Sequence, residues 1–543
     1  MRRVALLLAL CAAAGAAAPP APAAPGRIAL GLADGASPAA VAAAAEALTG
    51  GKADATLAPL GALVVRVADR DSAARVLARL PGVEYVEPLT ARRRLAFVPT
   101  DPLVFFQWYV PAIHAFDYWP EVPSLQPVRV AVIDSGVDAS HPELRGRIVA
   151  ARSFVKKGKA TVDERGHGTM VAGEIAAALD NAEGIAGVGF PVELLVAKVA
   201  EPDGIITVEA EAKAIRWAVE NGAQVVNLSL GGHRDPGSGR DDEYSPLEQA
   251  AVEYAYESGA VVVAATGNCD DHCPYRFADY PAALPHVLGV SALTQLAGVP
   301  DFSHRDAVYN DLAAPGVGIV STFPLALSDP ACSWPGYSIC APSSLRNGNG
   351  TSFAVPLVSA AAALLLATRP SLTPSQVMAV LERSAADLGP LGRDALTGNG
   401  ELDVLAALTA LEGPLPPADR FETNDDAGAS AHTLSGKRPA VDATVDYFDD
   451  PNDVYRVYVR AGRRLRVRLN GPAGGKPMLV LWRPGTAHVT EVTQVAVRSG
   501  AILARERAAS PSLGYVAKAS GWYYVEVKAP IRGGGAYHLS IRM

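Results

Sequence analysis

Short apolar runs alternate with helical stretches between Asp101 and Gly413, and this pattern limits the fold more than any other feature of the chain. Continuous apolar strands separated by helices are typical of a parallel sheet that is covered on both faces. The pattern therefore predicts an α/β domain over 101–413, with its functional groups at the carboxyl ends of the strands. The runs are Val128–Ile133, Leu194–Val199, Val225–Leu230 and Val261–Ala265, with helices such as Val208–Asn221 and Ser245–Ser258.

The flanking segments have other patterns. Residues 25–100 contain three short strands and two helices, which predicts a small α+β module. Its basic end, Thr90–Arg94, is interpreted as a linker or as an ordinary surface loop. Residues 414–543 alternate apolar and polar residues between turns, which predicts an all-β sandwich. Its predicted strands are Val454–Val459, Leu465–Leu469, Met478–Leu481, Val492–Val497, Gly514–Ala517, Trp522–Val527 and Tyr537–Ile541.

Residues 1–24 have the pattern of an export signal. Arg2 and Arg3 precede the apolar run Val4–Leu10, and small alanines follow. The run is too short for a stable membrane anchor, and the apolar stretch Ala354–Ala367 is interpreted as a buried helix. We therefore expect secretion to the extracellular space, the periplasm or the cell surface. The net charge of −8, without a long basic block, excludes a nucleic-acid-binding class.

Four cysteines follow the predicted signal, and they allow three pairings. Export favours disulfides, and the local pairs Cys269–Cys273 and Cys332–Cys340 are the simplest choice. The alternative is a metal site, because Cys269-Asp-Asp-His-Cys273 contains suitable ligand types. No second ligand cluster accompanies it, which disfavours zinc.

Ser352 lies where a glycine-rich turn, Asn347–Gly350, meets an apolar helical run. The unpaired N–H groups of the first helical turn can hold an oxyanion, so this is a suitable position for an attacking serine. The alternative is that Thr351 or Ser352 only caps the helix. The rest of the chain must supply a base, a carboxylate and an oxyanion donor.

Each of these groups is present at a strand end or a helix start. Asp134 ends the apolar run Val128–Ile133, where a carboxylate can orient an imidazole. His167 stands between two glycines at the start of a helix, whereas His141 is interpreted as structural. Asn268 follows another strand and can donate to a developing oxyanion. Each residue alone has a structural explanation, and the prediction depends on their combination.

In the order Asp134, His167, Asn268 and Ser352, the sequence resembles the subtilisin-like (subtilase) serine peptidases. The matching segments are Val-Ile-Asp134-Ser-Gly, His167-Gly-Thr-Met-Val-Ala-Gly, Asn-Leu-Ser229-Leu-Gly-Gly, Ala-Thr-Gly-Asn268 and Gly-Thr-Ser352-Phe-Ala-Val-Pro. Phe353 stands where the family usually has Met, and Leu357 where it often has His. These two departures concern packing.

The resemblance implies a secreted serine endopeptidase that acts on protein or peptide substrates. Ser352 would be the nucleophile, His167 the base, Asp134 its orienting carboxylate and Asn268 the oxyanion donor. A glycine edge also lets an extended peptide pair with the backbone. The substrate cleft that the resemblance implies is lined by Ser229, Leu230, Gly231, Gly232, Ala265, Gly267 and Gly204.

The resemblance also implies calcium. Leu179–Ile185 resembles a calcium loop, and its alternative interpretation is a plain loop at a helix end. The implied ligands are Gln107, Glu143, Leu179, Asn181, Glu183 and Ile185. The module within 25–100 resembles an inhibitory propeptide, and 414–543 resembles the pre-peptidase carboxyl-terminal domains. We expect a monomer that is made as a precursor inhibited by its own propeptide.

Two other function classes fit the sequence less well. An esterase of the α/β-hydrolase type would need a Gly-x-Ser-x-Gly motif, but position 354 is Ala, and its triad follows another order. An inactive adhesive protein would show a broken triad, whereas Asp134, His167 and Ser352 are all present. The sequence therefore favours the peptidase.

Overall fold

The structure is a computed structural model of the 543-residue chain. It divides into two units, 1–93 and 94–543. The residues it describes are 26–33, 35–67, 70–89, 97–235, 243–269, 277–328, 344–390, 392–413, 421, 424–428, 430–447, 452–472, 476–486, 489, 500–529 and 534–543. The predicted signal segment 1–24 lies outside these residues.

The amino-terminal unit is an antiparallel sheet with two helices. The prediction of three strands and two helices missed the short strand β2, and the strand order is β2-β3-β1-β4. Apolar side chains of β1, β3 and both helices share one core. The elements are β1 (Gly26–Leu32), α1 (Pro38–Thr49), β2 (Lys52–Asp54), β3 (Ala62–Val67), α2 (Arg70–Leu77) and β4 (Val83–Leu89).

The second unit begins with a parallel seven-stranded sheet, as the alternating pattern predicted. Its strand order is β11-β10-β9-β8-β5-β7-β6, and every described pairing in it is parallel. The strands are β5 (Val128–Asp134), β6 (Ile148–Ser153), β7 (Val192–Lys198), β8 (Val225–Leu228), β9 (Val261–Ala265), β10 (Val287–Leu293) and β11 (Leu312–Pro315). A separate antiparallel pair joins β12 (Val317–Thr322) and β13 (Leu345–Asn349).

Helices cover both faces of the seven-stranded sheet. Successive residues of β5 belong to different cores, with Val130 and Val132 on one face and Ala131 and Ile133 on the other. This explains the continuous apolar runs, because a strand buried on both faces has no polar side. The helices are α3 (Tyr109–Ala112), α4 (His167–Ala176), α5 (Val208–Glu220), α6 (Pro246–Glu257), α7 (Val355–Thr368), α8 (Pro374–Ser384) and α9 (Val404–Ala410).

Helix α7 lies in the larger of the two cores that flank the seven-stranded sheet, the one that contains Val130 and Val132. In the part of the chain that the structure describes, the stretch Thr351–Thr368 is long and apolar enough to cross a membrane, and 89% of it is buried. Burial on all sides is what the sequence predicted for this helix, and the core packing explains its apolar surface.

Beyond residue 413 the described elements are strands in two sheets, ordered β14-β16-β21-β18-β19 and β15-β22-β17-β20. Residues from both sheets share one core. The predicted strand Val492–Val497 lies outside the described residues. The strands are β14 (His432–Thr433), β15 (Ala440–Asp446), β16 (Asn452–Val459), β17 (Arg464–Asn470), β18 (Met478–Trp482), β19 (Ile502–Arg507), β20 (Ser512–Val516), β21 (Gly521–Lys528) and β22 (Gly534–Arg542).

Candidate active site

Asp134 and His167 form a hydrogen-bonded pair at the carboxyl end of β5, in which the carboxylate is buried and the imidazole is half-buried. Both carboxylate oxygens of Asp134 lie 2.9 Å from Nδ1 of His167. Asp134 is buried, and one of its oxygens also accepts the Ser135 N–H at 2.6 Å. The imidazole side chain keeps 26% of its surface exposed. A carboxylate in this position holds the proton on Nδ1 and leaves Nε2 as the basic nitrogen.

The two glycines around His167 are required by close packing. Gly166 has φ 87°, and a Cβ there would lie 2.2 Å from the ring of Phe323. A Cβ on Gly168 would lie 2.2 Å from the carbonyl oxygen of Gly136. The small neighbours that the sequence analysis noted are therefore needed for His167 to reach Asp134.

Asp163 was not identified from the sequence, yet it organises the start of α4. One of its oxygens accepts the N–H groups of Arg165 and Gly166 at 3.0 and 2.8 Å. The other accepts the N–H and the hydroxyl of Thr169 at 2.9 and 2.7 Å. Because these are the unpaired donors of a helix start, Asp163 caps the helix that carries His167.

The carboxylates raise the pKa of His167. Burial alone lowers the pKa of the imidazole, but the charge and hydrogen bond of Asp134 and the charge of Asp163 outweigh burial, so the net pKa lies above its ordinary value. Asp163 thus influences the base without touching it. His141, the competing histidine, contacts the backbone of Ser344 and Glu143 through its two ring nitrogens, as its structural interpretation requires.

Ser352 lies in a 3₁₀ turn, Thr351–Phe353, directly before α7. Its carbonyl accepts the hydroxyl of Ser229 at 2.8 Å, and Asn227 donates to the same hydroxyl at 3.0 Å. The ring of the next residue, Phe353, has its centroid 5.4 Å from that of His167. The turn that carries Ser352 therefore borders the imidazole.

Asn268 contacts the same turn. Its Oδ1 accepts the N–H of Thr351 at 2.8 Å and the hydroxyl of Thr351 at 3.2 Å. Since a backbone N–H can only donate, the side-chain oxygen must face Thr351, and the Nδ2 amide group points the other way. Asn268 is exposed, so this amide is accessible at the surface beside Ser352.

The predicted cleft residues near β8 and β9 follow adjacent strands, but they differ in exposure and in whether their backbone groups are already hydrogen-bonded. Gly231 is exposed, and Leu230 is half-buried. Gly232 requires a correction, because its N–H and C=O already pair with Tyr280 at 2.8 and 2.9 Å and its backbone is not available to a peptide. Ser229 is buried and bonded to Ser352.

The other cleft positions are backbone turns. Gly267 has φ 105° and follows the buried Ala265 at the end of β9. Gly204 has φ 94° and lies in a separate loop, where a Cβ would approach the guanidinium of Arg165 to 2.9 Å. These φ values favour glycine at both positions.

The predicted calcium residues are only partly assembled. The amide of Gln107 is bonded to the backbone of Ala186, next to Ile185, through both its oxygen and its nitrogen, at 2.8 Å each, so both ends of the amide already have a partner. Asp101 instead accepts the N–H groups of Asp180 and Asn181 at 2.8 and 3.3 Å. This carboxylate is buried, and no local sequence pattern indicated it as a ligand.

Glu143 has a buried oxygen, Oε2, without a hydrogen-bond partner. Burial, followed by the charge of Asp101, raises the pKa of Glu143 to about 7. The Asn181 side chain bonds to both Glu143 and the Glu183 N–H, and the Ile185 backbone also bonds to Glu143. Leu179 is half-buried at the start of this loop. Within the described ranges, no three His, Cys, Asp or Glu side chains converge on one point.

Of the predicted disulfide residues, Cys269 is described, half-buried beside Asn268. The other three, Cys273, Cys332 and Cys340, lie outside the described residues, so the pairing stays a prediction.

Comparisons with known proteins decide the family. Residues 126–400 match the Subtilase family, and residues 12–88 match the Fervidolysin N-terminal prodomain. The chain belongs to the subtilase family. This subtilase is therefore a serine endopeptidase with an amino-terminal prodomain, as a zymogen has.

Individual relatives support this assignment. The chain is 38% identical to Subtilisin DY of Bacillus licheniformis over 262 residues, which cover 48% of this chain and 85% of the relative. It is 33% identical to Thermitase of Thermoactinomyces vulgaris over 297 residues, 54% of this chain and 94% of the relative. Fervidolysin of Fervidobacterium pennivorans is 34% identical over 330 residues, 57% of this chain and 44% of the relative.

Proposed function

We propose that this subtilase hydrolyses peptide bonds through Asp134, His167 and Ser352. The observation that carries the proposal is the pairing of Asp134 with His167 Nδ1 at 2.9 Å, beside the turn of Ser352. Ser352 attacks the peptide carbonyl, and His167 accepts its proton on Nε2. His167 then donates this proton to the leaving amine, while Asp134 stabilises the imidazolium. A water molecule, deprotonated by His167, next attacks the acyl–Ser352 ester; the acid product leaves and the serine oxygen takes the proton back from His167.

The oxyanion is held by the Asn268 amide and the Ser352 N–H. The orientation of Asn268, fixed by the Thr351 N–H, supports this role. The bond from Ser229 to the Ser352 carbonyl keeps the turn in place before substrate arrives. Preorganised donors matter because they cost no rearrangement when charge develops.

The amino-terminal unit acts as an intramolecular inhibitor that is removed on maturation. The match of residues 12–88 to a prodomain supports this role. The proposed boundaries remain 1–24 for the signal, 25–100 for the propeptide with its linker, 101–413 for the catalytic domain and 414–543 for a sandwich of the pre-peptidase type. Amino-terminal sequencing and intact mass of the secreted product test these boundaries.

We also propose export with disulfide formation. The predicted export signal supports this proposal, because exported proteins fold in an oxidising compartment where cysteines such as Cys269 pair. Mass spectrometry of unreduced peptides would identify its partner, and Cys273 is the expected one.

Calcium is proposed as a structural ion, with Asp101 replacing Gln107 among the ligands. Glu143 and Asp101 are buried, and one Glu143 oxygen has no hydrogen-bond partner, which is a suitable arrangement for a cation. Asn181 and backbone carbonyls of 179–185 would complete a set of hard oxygen ligands. When bound, the ion would neutralise the two carboxylates and stabilise the loop.

The experiment that tests the proposed function compares Ser352→Ala with Ser371→Ala. Ser371 is exposed and lies outside the site, so its variant is the matched control. We expect the Ser352 variant to lose hydrolysis of casein and peptides, and the control to keep it. Unchanged hydrolysis by Ser352→Ala contradicts the proposal.

A further inference from the structure

Asp279 lies between the two backbone segments that border the proposed cleft. A Cβ on Gly267 would lie 2.2 Å from Oδ2 of Asp279, and a Cβ on Gly231 would lie 3.2 Å from its Cβ. Both glycines belong to the cleft set, and they come from adjacent strands, β8 and β9. The absence of side chains at both glycines leaves the room that the carboxylate occupies, so Asp279 lies directly against both backbone segments.

The position of Asp279 is fixed by the backbone. Its N–H donates to the carbonyl of Thr266 at 2.9 Å, immediately before Gly267. The neighbouring Tyr280 pairs with Gly232 through two backbone bonds. The backbone of Asp279 is therefore attached to the two strand ends that border the proposed cleft.

The carboxylate is mostly buried but still accessible, with 15% of its side-chain surface exposed. Its Oδ1 accepts no hydrogen bond from any group that the structure describes. Burying a carboxylate without a donor is unfavourable, so the site gains when a cationic donor arrives.

Among the described residues, the basic side chains near Asp279 do not donate a hydrogen bond to its Oδ1. His304 Nδ1 is 3.4 Å from Oδ1, but neither atom is aligned for a hydrogen bond. His233 Nδ1 is more distant, at 3.9 Å. The guanidinium of Arg234 donates to Asp306 at 2.9 Å. A second carboxylate, Glu243, accepts the backbone N–H of His233.

We propose that Asp279 selects substrates with a lysine or arginine side chain immediately before the scissile bond, the P1 position. This inference rests on the proposed function and adds its substrate class. An ammonium or guanidinium that enters between Gly231 and Gly267 meets the carboxylate and forms a charge-assisted hydrogen bond. Such bonds in a desolvated pocket give strong discrimination against uncharged side chains.

The test uses the mature enzyme and peptides that differ only at P1, with Arg, Lys, Leu, Phe or Glu. We expect kcat/KM for Arg and Lys to exceed that for Leu by about 10- to 100-fold. Asp279→Asn should reduce the Arg-to-Leu ratio by a similar factor. The matched control is Asp442→Asn, an exposed aspartate on β15, which should keep the wild-type ratio.

A binding measurement separates this inference from the proposed chemistry. Benzamidine, a small cation, should bind the Ser352→Ala protein at least about 10-fold more tightly than the Ser352→Ala/Asp279→Asn protein. A preference for Leu or Phe, an unchanged Arg-to-Leu ratio in Asp279→Asn, or equal benzamidine binding overturns the inference. If the wild type hydrolyses no peptide yet binds benzamidine through Asp279, the proposed function fails while the cationic pocket stands.

Discussion

Two groups of carboxylates differ in the hydrogen-bond donors around them. One group, Asp134 and Asp163, surrounds His167, and the other, Glu143 and Asp101, lies beside the loop 179–185. Asp163 accepts hydrogen bonds on both oxygens, and Asp134 is bonded to His167 and Ser135. Glu143 has an oxygen without a donor, and its pKa is raised to about 7. Both sites are buried in the same unit. The difference supports the two proposals: donors within the fold surround the carboxylates of the proposed base, whereas the Glu143 carboxylate has an oxygen that an added cation would neutralise.

The largest expected effect on activity is that of Asp134→Asn, at the His167 site. We expect kcat/KM for a peptide to fall about 10⁴-fold, because the amide no longer fixes the His167 tautomer or stabilises the imidazolium. This magnitude is that of well-studied serine peptidases, subtilisin among them, and is borrowed from them. Steady-state kinetics against wild type measure it. A loss below tenfold would show that Asp134 does not serve the base.

Asp163→Asn should have a smaller effect on rate, about tenfold, with a distinctive pH signature. The Asp163 charge helps to raise the His167 pKa, so its removal lowers that pKa. Since His167 must be neutral to act as base, the acid limb of kcat/KM should move to lower pH. A pH profile of both proteins checks this. An acid limb that stays in place would mean that Asp163 only caps α4.

Calcium removal tests whether the carboxylates of Glu143 and Asp101 bind a cation. In the Ser352→Ala background, which prevents self-digestion, a chelator should lower the Tm by about 5–10 °C if calcium is supplied at about 100 times its dissociation constant. Asp101→Asn should remove most of this difference, and Asp117→Asn, a half-buried aspartate outside the loop, should retain it. Scanning calorimetry measures the Tm. An equal Tm with and without chelator refutes the cation requirement.

At a third site, two carboxylates, Glu253 and Asp425, have the imidazole of His286 as their cationic partner. His286 bonds Glu253 at 3.0 Å and also Asp425, and it stacks on Tyr256 at 3.9 Å. Burial lowers the pKa of His286, but Asp425 and Glu253 outweigh burial and hold it well above its usual value.

The folded-state pKa of His286 is therefore higher than the unfolded value of about 6.5. The stabilisation is complete below pH 6.5 and is lost as pH rises through the folded-state pKa. Asp425→Asn should cost about 1–3 kcal/mol at pH 6 and progressively less at alkaline pH. Urea unfolding of Ser352→Ala with and without this change measures it. A cost that is independent of pH would exclude a charged His286.

Local patterns explain what the sequence could predict. Asp134 ends an apolar strand, His167 stands between glycines, and Ser352 precedes an apolar helix; each signal spans fewer than ten residues. The same holds for α5, predicted as Val208–Asn221 and observed as Val208–Glu220. The parallel sheet followed from apolar runs without polar alternation.

What the sequence could not show depends on contacts between distant segments. Asn227 meets Ser359 across 132 residues, and nothing in either neighbourhood indicates this bond. Asp163 is important only because α4 turns its first N–H groups toward it. Gln107 was predicted as a ligand because the sequence does not show that its amide is bonded to the Ala186 backbone.

In the proposed mechanism, His167 activates Ser352 as the nucleophile. The most direct measurement is labelling of the mature protein with a fluorophosphonate, followed by peptide mass spectrometry of wild type and His167→Ala. We expect a single adduct on Ser352 that is lost in the His167 variant. An adduct on another serine, or equal labelling of Ser352 without the imidazole, would contradict it.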